Sequence, residues 1–204
     1  CIKGIPDAFL ARAKPMSLHL FDNALEDVPA RLFALDRLEE LYLGLNPIVH
    51  VEAPAEKNDV LKILLFDQCP GIQIPDKFFA SFPNLKSVAL NGSGLGRIPS
   101  SIFSLSGLKQ LGLENNPLKR LPEEIRHLTN LVQLDISDCQ LNTLPKCLSL
   151  VTGLRDIMQK SSLDSFGLRL AGNPFKDKDL RKIAKLKNPK RTLEALDWAE
   201  ANGE

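Results

Sequence analysis

The chain has 204 residues, of which 26 are basic and 25 are acidic, so its net charge is +1. This balance gives no global field that would attract nucleic acid or an acidic membrane surface. No apolar run approaches the roughly 20 residues that a helix needs to cross a bilayer.

A hydrophobic pattern recurs about every 23 residues from the N-terminal end onward. Each copy has two apolar residues separated by one residue and then, after two further residues, Asn, Cys or Ser. Such alternation predicts a short strand with one buried face, and a fixed period of this length indicates a solenoid. The first apolar residues of six copies lie 23 or 24 residues apart, at Leu18, Leu41, Leu64, Val88, Leu111 and Leu134.

The polar residue that follows each strand is predicted to be structural. The chain must turn inward there, which leaves backbone N–H and C=O groups in need of partners. A buried Asn side chain can both donate to and accept from such groups, and a thiol or hydroxyl can cover part of that role. The seven positions are Asn23, Asn46, Cys69, Ser93, Asn116, Cys139 and Asn173.

A second ladder, an apolar residue followed by proline, runs between the strands. Because parallel strands need crossover connections, these segments are predicted to cross the outer face as short helical or 3₁₀ turns. Proline suits the first turn, where its missing N–H donor costs nothing. The ladder breaks once, where Glu52 follows Val51, and residues 49–60 are predicted to form an irregular outer loop. The prolines are Pro6, Pro29, Pro75, Pro99, Pro122 and Pro145.

The complete unit reads L-x-x-L-x-L-x-x-N/C-x-L-x-x-L-P-x-x-I-x-x-L and resembles the leucine-rich repeat family. Its LPxxIxxL half is similar to that of intracellular members of the family. The resemblance covers about residues 1–175, as a partial first repeat and seven further repeats. It implies an α/β solenoid with a curved parallel sheet on the concave face, and with short helices, 3₁₀ segments and loops on the convex face.

Two features depart from the repeat near the C-terminus. The seventh strand pattern starts at Leu168, 34 residues after Leu134, so an insertion of 11 residues is predicted within about 154–167. Residues 176–204 lose the repeat, and their helically spaced apolar residues predict a helical cap, with a second helix starting at residues 188–189. A cap of this kind covers the core of the last repeat.

The cap is also basic, because residues 176–191 hold eight Lys or Arg residues and two Asp residues. One interpretation is a surface that binds RNA, DNA or acidic lipid. The favoured interpretation is the solvated face of a capping helix. Trp198 lies beyond the basic run and is predicted to pack in the core of the cap.

Strand alternation also identifies the residues that face outward from the sheet. Those of the first three repeats are aromatic or aliphatic, and those of the last repeats are acidic. Exposed apolar patches commonly mark interaction sites, and Tyr and Phe are favoured anchors. The other explanation is that upstream sequence or another domain covers the apolar strands. The candidate partner-binding residues are His19, Phe21, Tyr42, Leu45, Ile63, Leu65, Asp67, Asn91, Glu114, Asp135 and Asp138.

The functional hypothesis is a non-catalytic recognition module that binds a protein or peptide on its concave face, centred on Tyr42. No nucleotide-binding, metalloprotease or hydrolase motif is present, and the three His residues lack catalytic or metal-ligand spacing. We therefore expect no enzymatic activity, cofactor, metal or small-molecule substrate. Two alternatives stay open: the targeting domain of a larger enzyme or secreted bacterial effector, and, more weakly, nucleic-acid binding through the basic tail.

The four cysteines are not clustered. Extracellular members of the resembled family usually carry disulfide-bonded caps at both ends, so the resemblance implies a reducing, cytoplasmic location. We expect a monomer with a protein partner.

Overall fold

The structure is a computed structural model, which describes residues 1–160, 167–187 and 190–203. Short strands and outer segments alternate along this chain. The strands are β1 (Ser17–His19), β2 (Asp27–Val28), β3 (Glu40–Tyr42), β4 (His50–Val51), β5 (Ile63–Leu65), β6 (Ser87–Ala89), β7 (Gln110–Gly112), β8 (Gln133–Asp135) and β9 (Gly167–Arg169).

Seven of these strands form one parallel sheet in the order β1-β3-β5-β6-β7-β8-β9, and β2 pairs with β4 in a small second sheet. Each strand pairs with the equivalent residues of the next repeat, as Leu18 does with Leu41. The central residue of each strand is buried, except that Leu18, on the edge strand β1, is half-buried. The predicted parallel α/β solenoid is therefore confirmed.

The outer segments are 3₁₀ helices, as the proline ladder predicts. Four of the five begin directly after Pro29, Pro99, Pro122 or Pro145, whose φ angles lie between −57° and −72°. The proline ring pre-sets this angle, and the first turn does not need the missing N–H. The segments are Ala30–Ala34, Phe78–Ser81, Ser100–Ser104, Glu123–His127 and Lys146–Leu150, and helix α1 (Asp7–Arg12) precedes them.

The break in the proline ladder coincides with an irregular stretch, since residues 52–62 contain no helix. The predicted loop over residues 49–60 starts too early, because His50 and Val51 form β4. A buried amide replaces the missing helical turn. Asn58 donates through Nδ2 to the carbonyl of Phe33 at 2.6 Å, and its Oδ1 accepts from the N–H groups of Val60 and Leu61, both at 2.8 Å. These bonds tie the loop to the preceding repeat.

The polar ladder after the strands also forms as predicted. Asn116 is 2% exposed; its Nδ2 donates to the carbonyls of Leu90 and Leu113, both at 2.8 Å, and its Oδ1 accepts from Leu95 N–H at 2.9 Å. The Cys139 thiol donates to the carbonyl of Leu113 at 3.3 Å. The thiol therefore covers part of the role of the amide.

Helices α2 (Thr152–Lys160), α3 (Lys178–Ile183) and α4 (Lys190–Asn202) close the C-terminal end. Helix α4 packs against the 3₁₀ segment 146–150, α2 and α3. Asp177 caps α3 by accepting from the N–H groups of Asp179 and Leu180. None of the described helices has the length and apolar content needed to span a membrane.

One basic residue of the cap has a structural role that the sequence analysis did not anticipate. Arg191 donates through Nε to the carbonyl of Leu168 at 2.7 Å and through Nη1 to that of Leu186 at 2.9 Å. The neighbouring Thr192 is buried and accepts from Leu168 N–H at 2.9 Å. These contacts attach α4 to β9 and remove Arg191 from the predicted basic surface.

Part of the C-terminal prediction lies outside the described residues. The predicted insertion within about 154–167 begins in α2, and residues 161–166 are not described. The predicted helix start at 188–189 is likewise not described. The division into repeats over 1–175 and a cap over 176–204 stays a prediction.

Candidate functional site

The candidate site is the open face of the sheet, which we define as the outward residues of β1, β3 and β5–β9 with the residues that follow each strand. The 11 predicted residues differ in accessibility. His19, Phe21, Leu45 and Asp138 are exposed, Asp135 is buried, and the half-buried ones are Tyr42, Ile63, Leu65, Asp67, Asn91 and Glu114.

At the N-terminal end of the open face, two rings are stacked. The centroids of His19 and Tyr42 lie 4.3 Å apart, and the ring planes differ by 6°. The hydroxyls of Tyr42 and Ser17 both donate to Oε2 of Glu40, at 3.1 Å and 3.0 Å. Partial desolvation, then the hydrogen bond and the charge of Glu40, raise the pKa of Tyr42, so its hydroxyl stays a neutral donor. The result is a pre-ordered aromatic platform.

In the middle of the open face, an amide links three repeats. Asn91 donates to Oδ1 of Asp67 through Nδ2 at 2.7 Å and through its backbone N–H at 3.1 Å. Its own Oδ1 accepts from Glu114 N–H at 2.8 Å. Burial raises the pKa of Asp67, and the two bonds from Asn91 partly offset that rise. A Cβ at Gly112 would lie 2.8 Å from the Asn91 amide, so glycine leaves the room that this bridge needs.

At the C-terminal end, Asp135 is held by internal contacts. It is 6% exposed; Oδ1 accepts from Ser137 N–H at 3.0 Å and from its hydroxyl at 2.7 Å, and Oδ2 lies 3.2 Å from Arg169 Nη1. These contacts make Asp135 a structural residue of the face and the least accessible member of the predicted set.

Glu114 and Asp138 differ from Asp135, since within the described residues neither forms an ion pair. Desolvation raises the pKa of Glu114, and the nearby charges of Asp135 and Asp138 raise it further. The end of the face is therefore a negatively charged region with uncompensated charge, a surface suited to a cationic group.

A left-handed backbone position, which the repeat pattern did not predict, precedes every residue of the polar ladder. The φ angles lie between 48° and 73°. Leu45 stands out, because its φ is 58° and its side chain is 47% exposed. This conformation costs most L-residues roughly 1–2 kcal/mol, and Gly, Asn and Asp tolerate it best. The positions are Asp22, Leu45, Gln68, Gly92, Asn115, Asp138 and Gly172.

An open groove runs along these turns. It brings together Leu45, Asn91 and Glu114 of the predicted set with residues that the set lacked, while His19, Tyr42, Ile63 and Leu65 lie on the strands. Four of the added residues could have been identified by their place directly before the ladder, namely Asp22, Gln68, Gly92 and Asn115. Its lining residues are Asp22, Leu45, Asn46, Pro47, Gln68, Pro70, Asn91, Gly92, Glu114 and Asn115.

Metal-ligating side chains are not grouped in the part of the chain that the structure describes. No set of three or more His, Cys, Asp or Glu residues there could hold a metal ion.

The family model for the leucine rich repeat matches residues 83–141. No curated protein sequence is significantly similar to the chain. Solved structures are similar over most of its length. A leucine-rich repeat protein of Leptospira interrogans, LIC12759, has 25% identity and a TM-score of 0.60, with 92% of this chain and 50% of that chain covered.

Two further structures share the fold. Internalin C2 of Listeria monocytogenes has 19% identity and a TM-score of 0.63, covering 88% of this chain and 70% of that one. The ectodomain of the Arabidopsis thaliana receptor kinase GASSHO1/SCHENGEN3 has 22% identity and a TM-score of 0.57, with 81% of this chain and 23% of that chain covered. The chain thus spans about half of the Leptospira protein and about a quarter of the plant ectodomain.

The matched repeats lie in the middle of a parallel sheet whose every strand keeps the same register. The chain therefore carries leucine-rich repeats over residues 83–141 and has the fold of a leucine-rich repeat solenoid.

Proposed function

We propose that this chain is a non-catalytic protein-interaction module whose open face binds a segment of a partner protein, with Tyr42 at the centre. The observation that carries the proposal is Leu45, three residues after Tyr42. Its apolar side chain is 47% exposed in a backbone conformation that a leucine disfavours. A residue that costs folding energy and fills no core is a sound candidate for a functional contact.

The surroundings of Leu45 support the same role. Phe21 is 55% exposed on the neighbouring repeat, and the stacked ring of Tyr42 is held by Glu40. Rigid aromatic side chains lose little entropy on binding and often anchor interfaces. Leucine-rich repeat domains are generally interaction modules, and the Arabidopsis ectodomain was solved in complex with CASPARIAN STRIP INTEGRITY FACTOR 2.

The charge distribution suggests the chemistry of the partner. Tyr42 on β3 and Glu114, two residues after β7, are separated by three strand-to-strand steps. Each step is about 4.8 Å, so the two sites lie roughly 14 Å apart. An extended peptide covers this distance with about four residues. A fitting partner segment carries an aromatic or aliphatic side chain at one end and Lys or Arg at the other.

Affinity capture from native lysate tests the proposal. The test variants are Tyr42→Asp with Leu65→Asp, and separately Leu45→Asn. The matched control is Leu150→Asn, because Leu150 is also an exposed leucine, at 55%, but lies in a 3₁₀ segment of the outer face. We expect a partner that binds the wild type and the control and is lost with both test variants. An identical set of proteins captured by all four forms would contradict the proposal.

An alternative proposal is that this array is the targeting domain of a larger enzyme or of a secreted bacterial effector. It is favoured by the coverage of the Leptospira protein, of which the chain spans 50%. The complete reading frame tests it. A catalytic domain encoded beyond either end would support the alternative, and a frame that encodes only repeats and caps would remove it.

We also propose a reducing, cytoplasmic location. The four cysteines, all in the described part of the chain, are free. The thiols of Cys69 and Cys139 donate to the carbonyls of Leu43 and Leu113, and burial raises the pKa of both. Cell fractionation tests this location, and recovery of the chain from a secreted fraction would contradict it.

A further inference from the structure

A second surface lies along the side of the solenoid, after the polar ladder. We call it the side edge and define it as residues 26–28, 49–51, 72–74, 96–98, 119–121, 142–144 and 176–177. Backbone hydrogen bonds align its successive repeats. Gln73 N–H donates to the Val49 carbonyl at 2.8 Å, and Lys176 N–H donates to the Asn142 carbonyl at 3.0 Å.

Charge changes sign along the side edge. The first repeat contributes Glu26 and Asp27, and the later repeats contribute Arg97, Lys119, Arg120 and Lys176. Arg97 pairs with Asp76. Among the described residues, the other three cations form no ion pair.

Asp177, which lines the same groove as these three cations, already accepts two hydrogen bonds. Asp177 accepts from Asp179 N–H at 2.9 Å and from Leu180 N–H at 2.8 Å, as the N-cap of α3. Lys119, Arg120 and Lys176 therefore share the described lining of their groove with a single carboxylate, that of Asp177, and the groove has a net positive charge.

The three cations line one groove with an aromatic ring. Its walls also include Asn142, Thr143, Asp177, Trp198 and Asn202. Trp198 is only partly buried, so it packs against the core on one side and lines the groove on the other, rather than lying wholly inside the cap as predicted. A neighbouring groove shares Lys119, Arg120 and Thr143 and extends the surface as far as Arg97.

We propose that this side groove binds an acidic segment of a partner protein. Its carboxylates pair with Lys119, Arg120 and Lys176, and a neighbouring apolar or aromatic side chain packs on Trp198. The proposal is independent of the open face, because no residue of the groove belongs to that surface.

An acidic peptide fits this groove better than nucleic acid does. Glu123 and Glu124 line the extension of the groove, where a continuous phosphate backbone would pass close to both carboxylates. A peptide places its charges only opposite the cations. Grooves that bind single-stranded nucleic acid stack successive bases on several aromatic residues. The lining of this groove includes one aromatic residue, Trp198.

The test uses Trp198 as its own reporter, because it is the only tryptophan in the chain. The full chain is titrated with an N-acetylated peptide of four glutamates around a central phenylalanine, and fluorescence is recorded at about 50 mM and about 300 mM salt. We expect a saturable change that weakens at the higher salt. Replacing the glutamates of the peptide with lysines should abolish the change.

Two double variants separate the groove from general charge. Lys119→Gln with Arg120→Gln should weaken binding about tenfold, because two charge pairs are lost. Lys57→Gln with Lys77→Gln removes the same charge from exposed sites outside the groove and should bind like the wild type. The open-face variant Tyr42→Asp with Leu65→Asp should also bind normally.

Three results would overturn the proposal. The first is no saturable fluorescence change with the acidic peptide at low salt. The second is equal weakening of peptide binding by the Lys119/Arg120 variant and the Lys57/Lys77 variant, which would mean that net charge alone causes the effect. The third is tighter binding of a single-stranded oligothymidylate than of the peptide, with the same loss in the Lys119/Arg120 variant, which would assign the groove to nucleic acid.

Discussion

The two ends of the open face share one backbone and carry different chemistry. At the N-terminal end, Phe21 and Leu45 are exposed and the rings of His19 and Tyr42 are stacked. At the C-terminal end, Asp135 is held inside the face by Arg169. The strands of both ends pair in the same register.

This difference shows which positions the fold leaves free. Central strand residues and the polar ladder are similar in both ends, because the core and the turning backbone demand them. Outward residues contribute little to that core, so their identity follows other requirements. The exposed apolar residues of the first repeats have no fold requirement to explain them, which is why the function is proposed there.

The largest expected effect is on partner binding at the apolar end. Tyr42→Asp with Leu65→Asp should weaken the binding of the captured partner by at least about 2 kcal/mol, or roughly 30-fold, because buried anchors dominate interface energies. Isothermal titration measures the change. Unchanged affinity in a variant whose circular dichroism spectrum is normal would move the binding site away from this end.

The next effect tests whether the two ends share one structural ladder. Asn46→Ala and Asn116→Ala should each lower the free energy of unfolding by about 1–3 kcal/mol, because each leaves buried backbone groups without partners. Cys139→Ala should cost less, since a thiol is a weak donor. Urea denaturation measures all three. A loss below a few tenths of a kcal/mol for either Asn variant would contradict its structural role.

A smaller effect, of opposite sign, should appear at the left-handed position. The acidic end places Asn115 and Asp138 there, whereas the apolar end places Leu45. Leu45→Asn should raise the free energy of unfolding by about 1 kcal/mol, because Asn tolerates positive φ, while it weakens partner binding. Denaturation and titration of the same variant check both parts. A variant that is less stable than the wild type would show that Leu45 packs in the fold.

The smallest effect concerns the uncompensated charge at the acidic end. The pKa of Glu114 is raised in the folded chain, so the folded state binds more protons than the unfolded state between the ordinary and the raised pKa. Stability therefore falls as pH rises through this window and stays lower above it. Glu114→Gln should stabilise the chain at neutral pH by less than about 0.5 kcal/mol, and the gain should vanish below the ordinary carboxyl pKa.

Denaturation of the Glu114→Gln variant and the wild type across the acid range checks this sign. A gain that persists at low pH would mean that charge is not its cause.

The sequence by itself determined the strands, their register, the proline-led outer turns and the irregular loop after Val51. These features depend on residue type at a fixed period, and one repeat needs only its neighbour to express them. The polar ladder could be predicted for the same reason: Asn116 meets the same turning backbone as Asn46.

Only the tertiary structure decided which polar side chains form hydrogen bonds or ion pairs within the fold and are therefore not available to a partner. The strand pattern predicts an accessible Asp135, but Arg169, 34 residues further on, pairs with it. The basic run predicts that Arg191 belongs to a charged surface, but its guanidinium donates to the carbonyl of Leu168. Asn58 holds a loop through Phe33, which lies 25 residues earlier. Each outcome depends on a particular side chain reaching a particular group in another repeat, and residue periodicity does not encode such pairings.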